Sequence, residues 1–288
     1  MFLADGWSSY RLIDASDGKR LESWGGYTLV RPDPQVIWHS ETPDRRFKSA
    51  DAVYIRSKKG GGAWSENNLP ESWNIEYERL GLKFLVKPMG FKHTGLFPEQ
   101  AVNWDWFYKL ISSQNREIKV LNLFAYTGGA TVAAAKAGAK VCHVDASRGM
   151  VAHAKENAAL CGLEDAPIRY IVDDCQKFVE REIRRGNTYD AIIMDPPSYG
   201  RGPNGQIWRC EENIDSFVKL CMGVLSENPL FVLINSYTTG LSPSAMGYIL
   251  ETTVKKQYGG SVISDEVGLP VESTGAALPC GSAARWTK

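Results

Sequence analysis

The stretch NLFAYTGGATVAAAKAGAKVCHVDAS, residues 122–147, decides the fold of this chain. It reads as an apolar strand, a turn with Gly128 and Gly129, an alanine-rich helix closed by Gly138, and a second strand ending in Asp145. Units of this kind hold a nucleoside, because a carboxylate at the end of the second strand can accept both ribose hydroxyls. The alternative interpretation is structural: the glycines serve only the turn, and Asp145 caps the next helix.

The glycine turn AYTGGAT, residues 125–131, does not match the dinucleotide fingerprint. In GxGxxG a pyrophosphate lies on the helix N-terminus. Here the two glycines are adjacent, no third glycine follows at that offset, and no P-loop lysine follows either. The turn therefore suits a nucleoside without a pyrophosphate, and it favours S-adenosylmethionine.

The alternation of strands and helices continues to the C-terminus. From Lys119 onward, apolar strand patterns alternate with helical patterns, and SVISDEVGLP and ALPCGSAARW form a terminal hairpin. Such alternation predicts a parallel sheet with helices on both faces. Before this region, short Trp- and Tyr-rich runs such as YTLVR and AVYIR are divided by DG, GG and PDP turns. We predict a small, mainly β domain over residues 1–88 and an α/β domain over residues 89–288.

Composition limits the classes of function. The 288 residues carry 33 basic and 33 acidic side chains, and the zero net charge gives no support to a strongly basic nucleic-acid binder. Six cysteines form no CxxC pair and no Cys/His cluster, so we expect no metal site and reduced thiols in a cytoplasmic protein. No signal-peptide pattern and no apolar run of membrane-spanning length is present, so we expect no membrane partner.

The motif DPPSYG, residues 195–200, directly follows the strand pattern YDAIIM. Open α/β sheets place their ligands at the carboxyl ends of strands. Pro196 and Pro197 stiffen the backbone and donate no hydrogen bond. Asp195 can accept from an amine, and Tyr199 offers a flat face for stacking an aromatic target. The alternative is that DPP only ends the strand.

A third acidic position is VDDCQKF, residues 172–178, after the third strand pattern. One carboxylate here can accept from the exocyclic amine of adenine, and we favour Asp174. Asp174 is also a good helix N-cap, and both roles can hold together.

Together these motifs resemble those of the class I S-adenosylmethionine-dependent methyltransferases. More narrowly, they resemble the bacterial 23S rRNA methyltransferases that modify the 5-carbon of cytosine or N7 of guanine. The resemblance rests on NLFAYTGG, the acid ending the second strand, DPPSY, and HTGLFPEQ at residues 93–100, which is similar to the family's KTGFFLDQR stretch beside the cofactor. It implies a Rossmann-like class I methyltransferase fold with a seven-stranded, mostly parallel sheet and a terminal antiparallel hairpin. It also implies that the small β domain corresponds to the family's middle domain, while we expect no PUA domain.

The resemblance also assigns site residues. Asp195 and Pro196 would flank the methyl group, and Tyr199 would stack the target base. The implied cofactor-binding residues are Phe97, Pro98, Gln100, Ala125, Tyr126, Thr127, Gly128, Asp145, Asp174 and Asp195.

One departure from the family bears on the acceptor. The cytosine-5 enzymes carry a nucleophilic cysteine after the fifth strand, where this chain reads INSYTTGLS, residues 234–242. Cytosine C5 is a poor nucleophile and needs covalent activation. We therefore predict transfer to a nitrogen, with the thiol of Cys210 as an alternative route to C5.

We predict an S-adenosylmethionine-dependent methyltransferase that acts on a base of ribosomal RNA, with 23S rRNA as partner. The basic segments RRFK (residues 45–48) and SKKGGG (residues 57–62) are candidate phosphate contacts. A small-molecule or protein methyltransferase is one alternative, favoured by the zero net charge and by the expected lack of a PUA domain. A nucleotide-binding dehydrogenase or a non-catalytic binding module is another. The sequence leaves open whether the chain forms a homo-oligomer.

Overall fold

The computed structural model describes residues 1–57, 61–65, 67, 69–201 and 207–288. Residues 58–60, part of the basic segment SKKGGG, lie outside the described residues. The chain divides into two compact units. The small unit consists of Phe2–Val102 and Val267–Cys280, and the large unit of Met1, Asn103–Glu266 and Gly281–Lys288.

The small unit is built from short strands. They are β1 (Phe2–Leu3), β2 (Tyr10–Ser16), β3 (Lys19–Trp24), β4 (Tyr27–Pro32), β5 (Ala52–Arg56), β6 (Gly62–Trp64), β7 (Trp73–Tyr77) and β8 (Leu82–Val86). Strands β2 to β6 form a five-stranded sheet in chain order, and β7 pairs with β8. Gly81 joins that pair with a φ of +62°, a left-handed conformation that glycine adopts without a steric penalty.

The remaining elements follow in chain order. They are α1 (Ala101–Ser112), β9 (Lys119–Leu123), α2 (Gly129–Lys136), β10 (Lys140–Asp145), α3 (Arg148–Leu160), β11 (Ile168–Val172), α4 (Cys175–Arg185), β12 (Ala191–Met194), β13 (Tyr199–Arg201), β14 (Ile207–Arg209), α5 (Cys210–Cys221), β15 (Phe231–Ser236), α6 (Pro243–Leu250), α7 (Lys256–Tyr258), β16 (Ser261–Pro270) and β17 (Ala277–Thr287). Short 3-10 helices lie at Arg45–Lys48, Glu78–Leu80, Gly90–Lys92, Pro98–Gln100 and Met222–Val224, and a π turn at Glu251–Lys255 joins α6 to α7.

The main sheet has the strand order β16-β17-β15-β12-β9-β10-β11. Strands β15, β12, β9, β10 and β11 are mutually parallel, and β17 runs antiparallel to β15. This mostly parallel α/β sheet, with its terminal hairpin and the separate small β sheet, confirms the predicted fold class. The structure adds one further strand, because β1 pairs with Val267 and Gly268 of β16 within the small unit.

The compact units do not follow the predicted domain boundary. The small unit extends to Val102 and includes Val267–Cys280 from the far end of the chain. A division of the chain into domains at residue 88 stays a prediction.

Five parallel strands have their carboxyl ends at one edge of the sheet. In the register, Leu123 of β9 is opposite both Val144 of β10 and Met194 of β12. The strand interiors are buried, as at Leu121 and Ile192, so the sheet fixes the loops that leave this edge. Within the described residues, no helix is both long and apolar enough to cross a membrane.

Candidate active site

The glycine turn after β9 has an unusual backbone. Phe124 and Tyr126 have φ values of +54° and +50°, a region that non-glycine residues seldom occupy. Two contacts hold the strained segment: the Phe124 N–H points to Cys175 Sγ at 3.2 Å, and the Ala125 N–H donates to the Val144 carbonyl at 3.1 Å. Strain of this kind is concentrated at functional sites, where the surrounding structure enforces it. The sequence did not reveal it, because only Gly128 and Gly129 signal a turn.

Gly128 is required by packing as well as by its conformation. Its φ is +81°, and a Cβ added there would lie 2.8 Å from the Cβ of Ala154. Helix α3 therefore approaches the start of α2 closely enough to exclude a side chain at this position. From the same helix, the Asn157 side-chain amide donates to the Thr127 carbonyl at 2.8 Å. Packing and a hydrogen bond from α3 therefore hold the turn in place.

Asp145, at the end of β10, binds the backbone of the turn. One carboxylate oxygen accepts from the Tyr126 N–H at 2.8 Å, and the other from the Ser147 N–H at 2.8 Å. Burial raises the pKa of Asp145, although these two hydrogen bonds oppose the rise. A carboxylate has about four acceptor positions, so two remain for ligand hydroxyls. The N-cap of α3 is Ser147 rather than Asp145, and the predicted ribose contact of Asp145 stays a prediction.

A buried polar network lies behind the turn. The Asn122 side-chain amide donates to Thr131 Oγ1 at 2.8 Å, and Thr131 Oγ1 lies 2.9 Å from His143 Nδ1. All three residues are at most 2% exposed. Burial lowers the pKa of His143 to about 4, so the imidazole is neutral at pH 7. The sequence analysis missed this network, and its only signal was the set of polar residues at inward-facing positions of strands β9 and β10.

Asp174 caps a helix in the structure. Its carboxylate accepts from the Lys177 N–H at 2.9 Å, at the N-terminus of α4. The neighbouring Asp173 accepts from the Asp174 N–H and forms an ion pair with Arg181. The capping role that the sequence allowed is therefore present, and the adenine contact stays a prediction.

The loop at residues 195–198, which we call the acceptor loop, leaves the sheet next to the glycine turn. Because Met194 pairs with Leu123, the residues that follow each of them, Asp195 and Phe124, begin adjacent loops. Pro196 is buried and Pro197 is exposed, so the two prolines form a fixed step at this edge. Beyond the loop, the side chain of Tyr199 is 50% exposed.

A hydroxyl pair joins the acceptor loop to the segment after β15. Thr238 Oγ1 donates to Ser198 Oγ at 2.9 Å, and the Thr238 N–H donates to Ser236 Oγ at 3.1 Å. This segment belongs to INSYTTGLS, where the resembling cytosine-5 enzymes carry their cysteine. Hydroxyl groups stand at the corresponding place in this chain, and the sequence analysis did not predict the link to Ser198.

The structure argues against Cys210 as a substitute nucleophile. Its side chain is fully buried, with Sγ 3.9 Å from Ser236 Oγ. Burial raises the pKa of the Cys210 thiol, so the reactive thiolate is disfavoured. All six cysteines of the chain are free and buried.

The other predicted cofactor residues lie in the small unit. Pro98 and Gln100 are buried in a short 3-10 helix, and Phe97 is half-buried with its ring edge-on to His93 at 5.5 Å. The Pro98 carbonyl accepts from the Trp7 indole N–H at 2.8 Å. Their predicted place beside the cofactor stays a prediction. Among the described residues, no three His, Cys, Asp or Glu side chains cluster in a way that could hold a metal ion.

Comparison with known proteins matches residues 54–214 to a family described as S-adenosylmethionine-dependent methyltransferase. A solved S-adenosylmethionine-dependent methyltransferase from Agrobacterium tumefaciens is 38% identical, with a TM-score of 0.91, and the match covers 98% of this chain and 91% of that one.

Among curated relatives, the ribosomal RNA large subunit methyltransferase K/L of Shewanella frigidimarina (strain NCIMB 400) is 39% identical over 123 residues, which is 42% of this chain. The ribosomal RNA large subunit methyltransferase I of Cronobacter sakazakii (strain ATCC BAA-894) is 28% identical over 214 residues, which is 68% of this chain. The match spans 16% of the first relative and 52% of the second.

Proposed function

The chain belongs to the S-adenosylmethionine-dependent methyltransferase family, and we propose that it transfers a methyl group to a nitrogen of a ribosomal RNA base. One observation carries this proposal. The strained glycine turn and the acceptor loop leave neighbouring parallel strands, paired at Leu123 and Met194, on the same edge of the sheet. A nucleoside held by the turn and a target held by the loop would therefore meet at strand spacing, about 4.8 Å apart.

The residues of the glycine turn fit S-adenosylmethionine. Asp145 keeps acceptor capacity for two ribose hydroxyls while its bonds to the Tyr126 and Ser147 N–H groups fix the carboxylate orientation. When bound, the cofactor supplies a methyl group activated by a sulfonium. The chain contributes mainly orientation, which can lower a barrier by about 7–11 kcal/mol when the reacting groups are held in line.

A nitrogen acceptor agrees with the chemistry available at the acceptor loop. A ring nitrogen attacks through its own lone pair, and an amino nitrogen can donate a hydrogen bond to Asp195. Transfer to cytosine C5 needs a thiolate, whereas the cysteines are buried, Ser236 ends β15, and Thr238 follows two residues later. The protein would align the base and exclude water, with no covalent intermediate.

An RNA substrate is supported by the relatives and by exposed cations. The relatives from Shewanella and Cronobacter carry ribosomal RNA in their names. In the small unit, Arg45 and Lys48 are exposed on one 3-10 turn, and in the large unit Arg184 is exposed at the end of α4. Phosphate contacts of this type dominate RNA affinity.

The test is a transfer assay with methyl-tritiated S-adenosylmethionine and 23S rRNA transcribed in vitro without modifications. We expect tritium in the RNA and, after digestion to nucleosides, a base methylated at nitrogen by mass spectrometry. Asp195→Asn should lower transfer, while the exposed Asp165→Asn serves as a matched control. Label found only in protein or small molecules would contradict an RNA substrate, and 5-methylcytidine would contradict a nitrogen acceptor.

A further inference from the structure

A short hairpin follows the acceptor loop directly. Strands β13 and β14 pair antiparallel, with Tyr199 opposite Arg209 and Gly200 opposite Trp208. Because opposite residues share a face and successive residues alternate, the hairpin has two distinct faces. Trp208 lies on one face, and Tyr199, Ile207 and Arg209 lie on the other.

The Trp208 face fixes the hairpin to the large unit. The indole ring packs against Phe124, with centroids 5.5 Å apart, and against Phe217 at 5.6 Å. The Trp208 indole N–H also donates to the Pro197 carbonyl at 2.7 Å. The hairpin is therefore attached both to the acceptor loop and to the glycine turn, so its opposite face has a defined position beside the reaction site.

The opposite face is open to solvent. Tyr199 is 50% exposed and Ile207 is 54% exposed, and both are large apolar side chains. Arg209 is exposed and donates to Glu212 Oε1 at 2.8 Å, in the first turn of α5. An exposed ion pair of this kind adds little stability, so the guanidinium can exchange Glu212 for another anion.

We propose that this outer face, formed by Tyr199, Ile207 and Arg209, binds an unpaired nucleotide of the RNA next to the target base. The inference rests on the proposed function. A nucleobase can stack on the Tyr199 ring and cover Ile207, while Arg209 binds the adjoining phosphate. Because Tyr199 lies on the face opposite Trp208, which packs toward the glycine turn, we assign its ring to the neighbouring nucleotide rather than to the target base that the family resemblance implied. Strand β13 follows the acceptor loop directly, so the outer face of the hairpin is adjacent to that loop. An RNA strand whose target base enters the loop therefore passes over this face. Duplex RNA does not fit, because its bases are already stacked on one another.

The test measures binding of a fluorescein-labelled, mixed-sequence 12-nucleotide RNA by anisotropy, as a single strand and as a duplex. We expect Tyr199→Ala to weaken single-strand binding by about 5- to 150-fold, as for loss of one stacked base. Ile207→Asp should weaken it in the same direction by placing a carboxylate near the RNA. Tyr248→Ala and Ile263→Asp are matched controls, because these side chains of the large unit are 71% and 62% exposed.

A variant that binds single-stranded RNA more tightly shows a direct effect on RNA binding, because damage to the fold would weaken binding. Glu212→Gln releases Arg209 and removes a nearby negative charge, and we expect single-strand binding to tighten by about two- to fivefold. Binding of S-adenosylhomocysteine to the Ile207→Asp and Glu212→Gln variants should equal that of the unmodified protein.

The outcomes distinguish this inference from the proposed function. If the unmodified protein binds and methylates RNA but Tyr199→Ala and Ile207→Asp behave like their controls, the hairpin face is not the contact and the proposed function stands. Equal affinity for the duplex and the single strand also overturns the inference. If the unmodified protein binds no RNA, both the inference and the RNA substrate fail.

Discussion

At the scale of single residues, the site depends on carboxylates and amides whose partners are backbone groups. Asp145 illustrates this, because one side chain both fixes the Tyr126 and Ser147 N–H groups and keeps acceptor positions for a ligand. Its place at the end of a strand could be predicted from the sequence, its bonds to the backbone of the turn could not, and its ribose contact stays a prediction. The role of Asp174 could be predicted only in part, because a helix cap and an adenine contact use the same carboxylate and the same sequence position.

Asp145→Asn should weaken cofactor binding. The amide keeps the size of the side chain but loses the negative charge and one acceptor oxygen. Hydrogen bonds to charged groups contribute about 1.5–3 kcal/mol each, so we expect about a 10- to 100-fold loss of S-adenosylhomocysteine affinity by calorimetry. Glu156→Gln, an exposed carboxylate of α3, is the control. Equal affinity of Asp145→Asn and the unmodified protein would remove Asp145 from the site.

His143 makes the stability of the large unit depend on pH. Its pKa is about 4 in the folded protein, because of burial, against an ordinary value of 6.5. The unfolded chain binds the proton more readily, so stability is complete above pH 6.5 and is lost as the pH falls toward 4. Between pH 7.5 and pH 5 this group should lower the free energy of unfolding by about 2 kcal/mol.

The measurement is urea unfolding of the unmodified protein and of His143→Gln at both pH values. Glutamine does not titrate, so the loss between pH 7.5 and pH 5 should shrink by about 2 kcal/mol in the variant. Each protein is compared with itself at the two pH values, so any loss of stability that the substitution causes at both pH values cancels. An unchanged pH dependence would show that the pKa of His143 is the same in the folded and unfolded states.

At the scale of elements, the regular strands and helices of the large unit could be predicted from the spacing of their hydrophobic residues. The features that this spacing did not predict have physical causes. The hairpin of β13 and β14 has strands of three residues, too short to show a period of two. The positive φ angles at Phe124 and Tyr126 are imposed by neighbouring elements, and neither residue type signals them. The burial of Cys210 likewise depends on the packing of α5, which sequence spacing does not reveal.

Gly128→Ala should destabilise the contact between α2 and α3. The new Cβ would lie 2.8 Å from the Ala154 Cβ, at a φ of +81°. Left-handed backbone costs a non-glycine residue about 1–2 kcal/mol, and overpacking adds about 1–3 kcal/mol. We expect urea unfolding to show a loss of about 2–5 kcal/mol.

Gly162→Ala separates the two costs. Gly162 has a φ of +65°, and a Cβ there meets nothing within 4 Å, so only the conformational cost of about 1–2 kcal/mol should appear. Adding Ala154→Gly to Gly128→Ala removes the clashing atom. Because glycine inside α3 itself costs about 0.5–1 kcal/mol, the packing part of the loss should be recovered when the double variant is compared with Ala154→Gly alone. Equal losses for Gly128→Ala and Gly162→Ala would mean that α3 can move aside.

At the scale of the whole molecule, the order of elements along the chain predicts the sheet but not the compact units. Alternating strands and helices fix a parallel sheet, because the crossover helices must cover both faces. The assignment of Val267–Cys280 to the small unit could not be predicted from the order of elements. It depends on contacts between the two ends of the chain, and no local composition marks them.

Zero net charge sets an expectation for the RNA binding that we propose. With 33 basic and 33 acidic residues there is no long-range attraction, so affinity must come from a few local cations. For about three phosphate contacts on a single strand, the slope of log affinity against log salt should be about −2.

Lys48→Ala should make the slope shallower by about 0.7 if Lys48 is one of these contacts. Lys219→Ala removes the same charge from a residue of α5 that is not one of the proposed phosphate contacts, so it should leave the slope unchanged. The slope is measured by anisotropy titrations of the 12-nucleotide single strand at salt concentrations from about 50 to about 200 mM. A slope near zero would show that base stacking alone holds the RNA, and a slope steeper than about −5 would require a basic surface that the balanced composition does not predict.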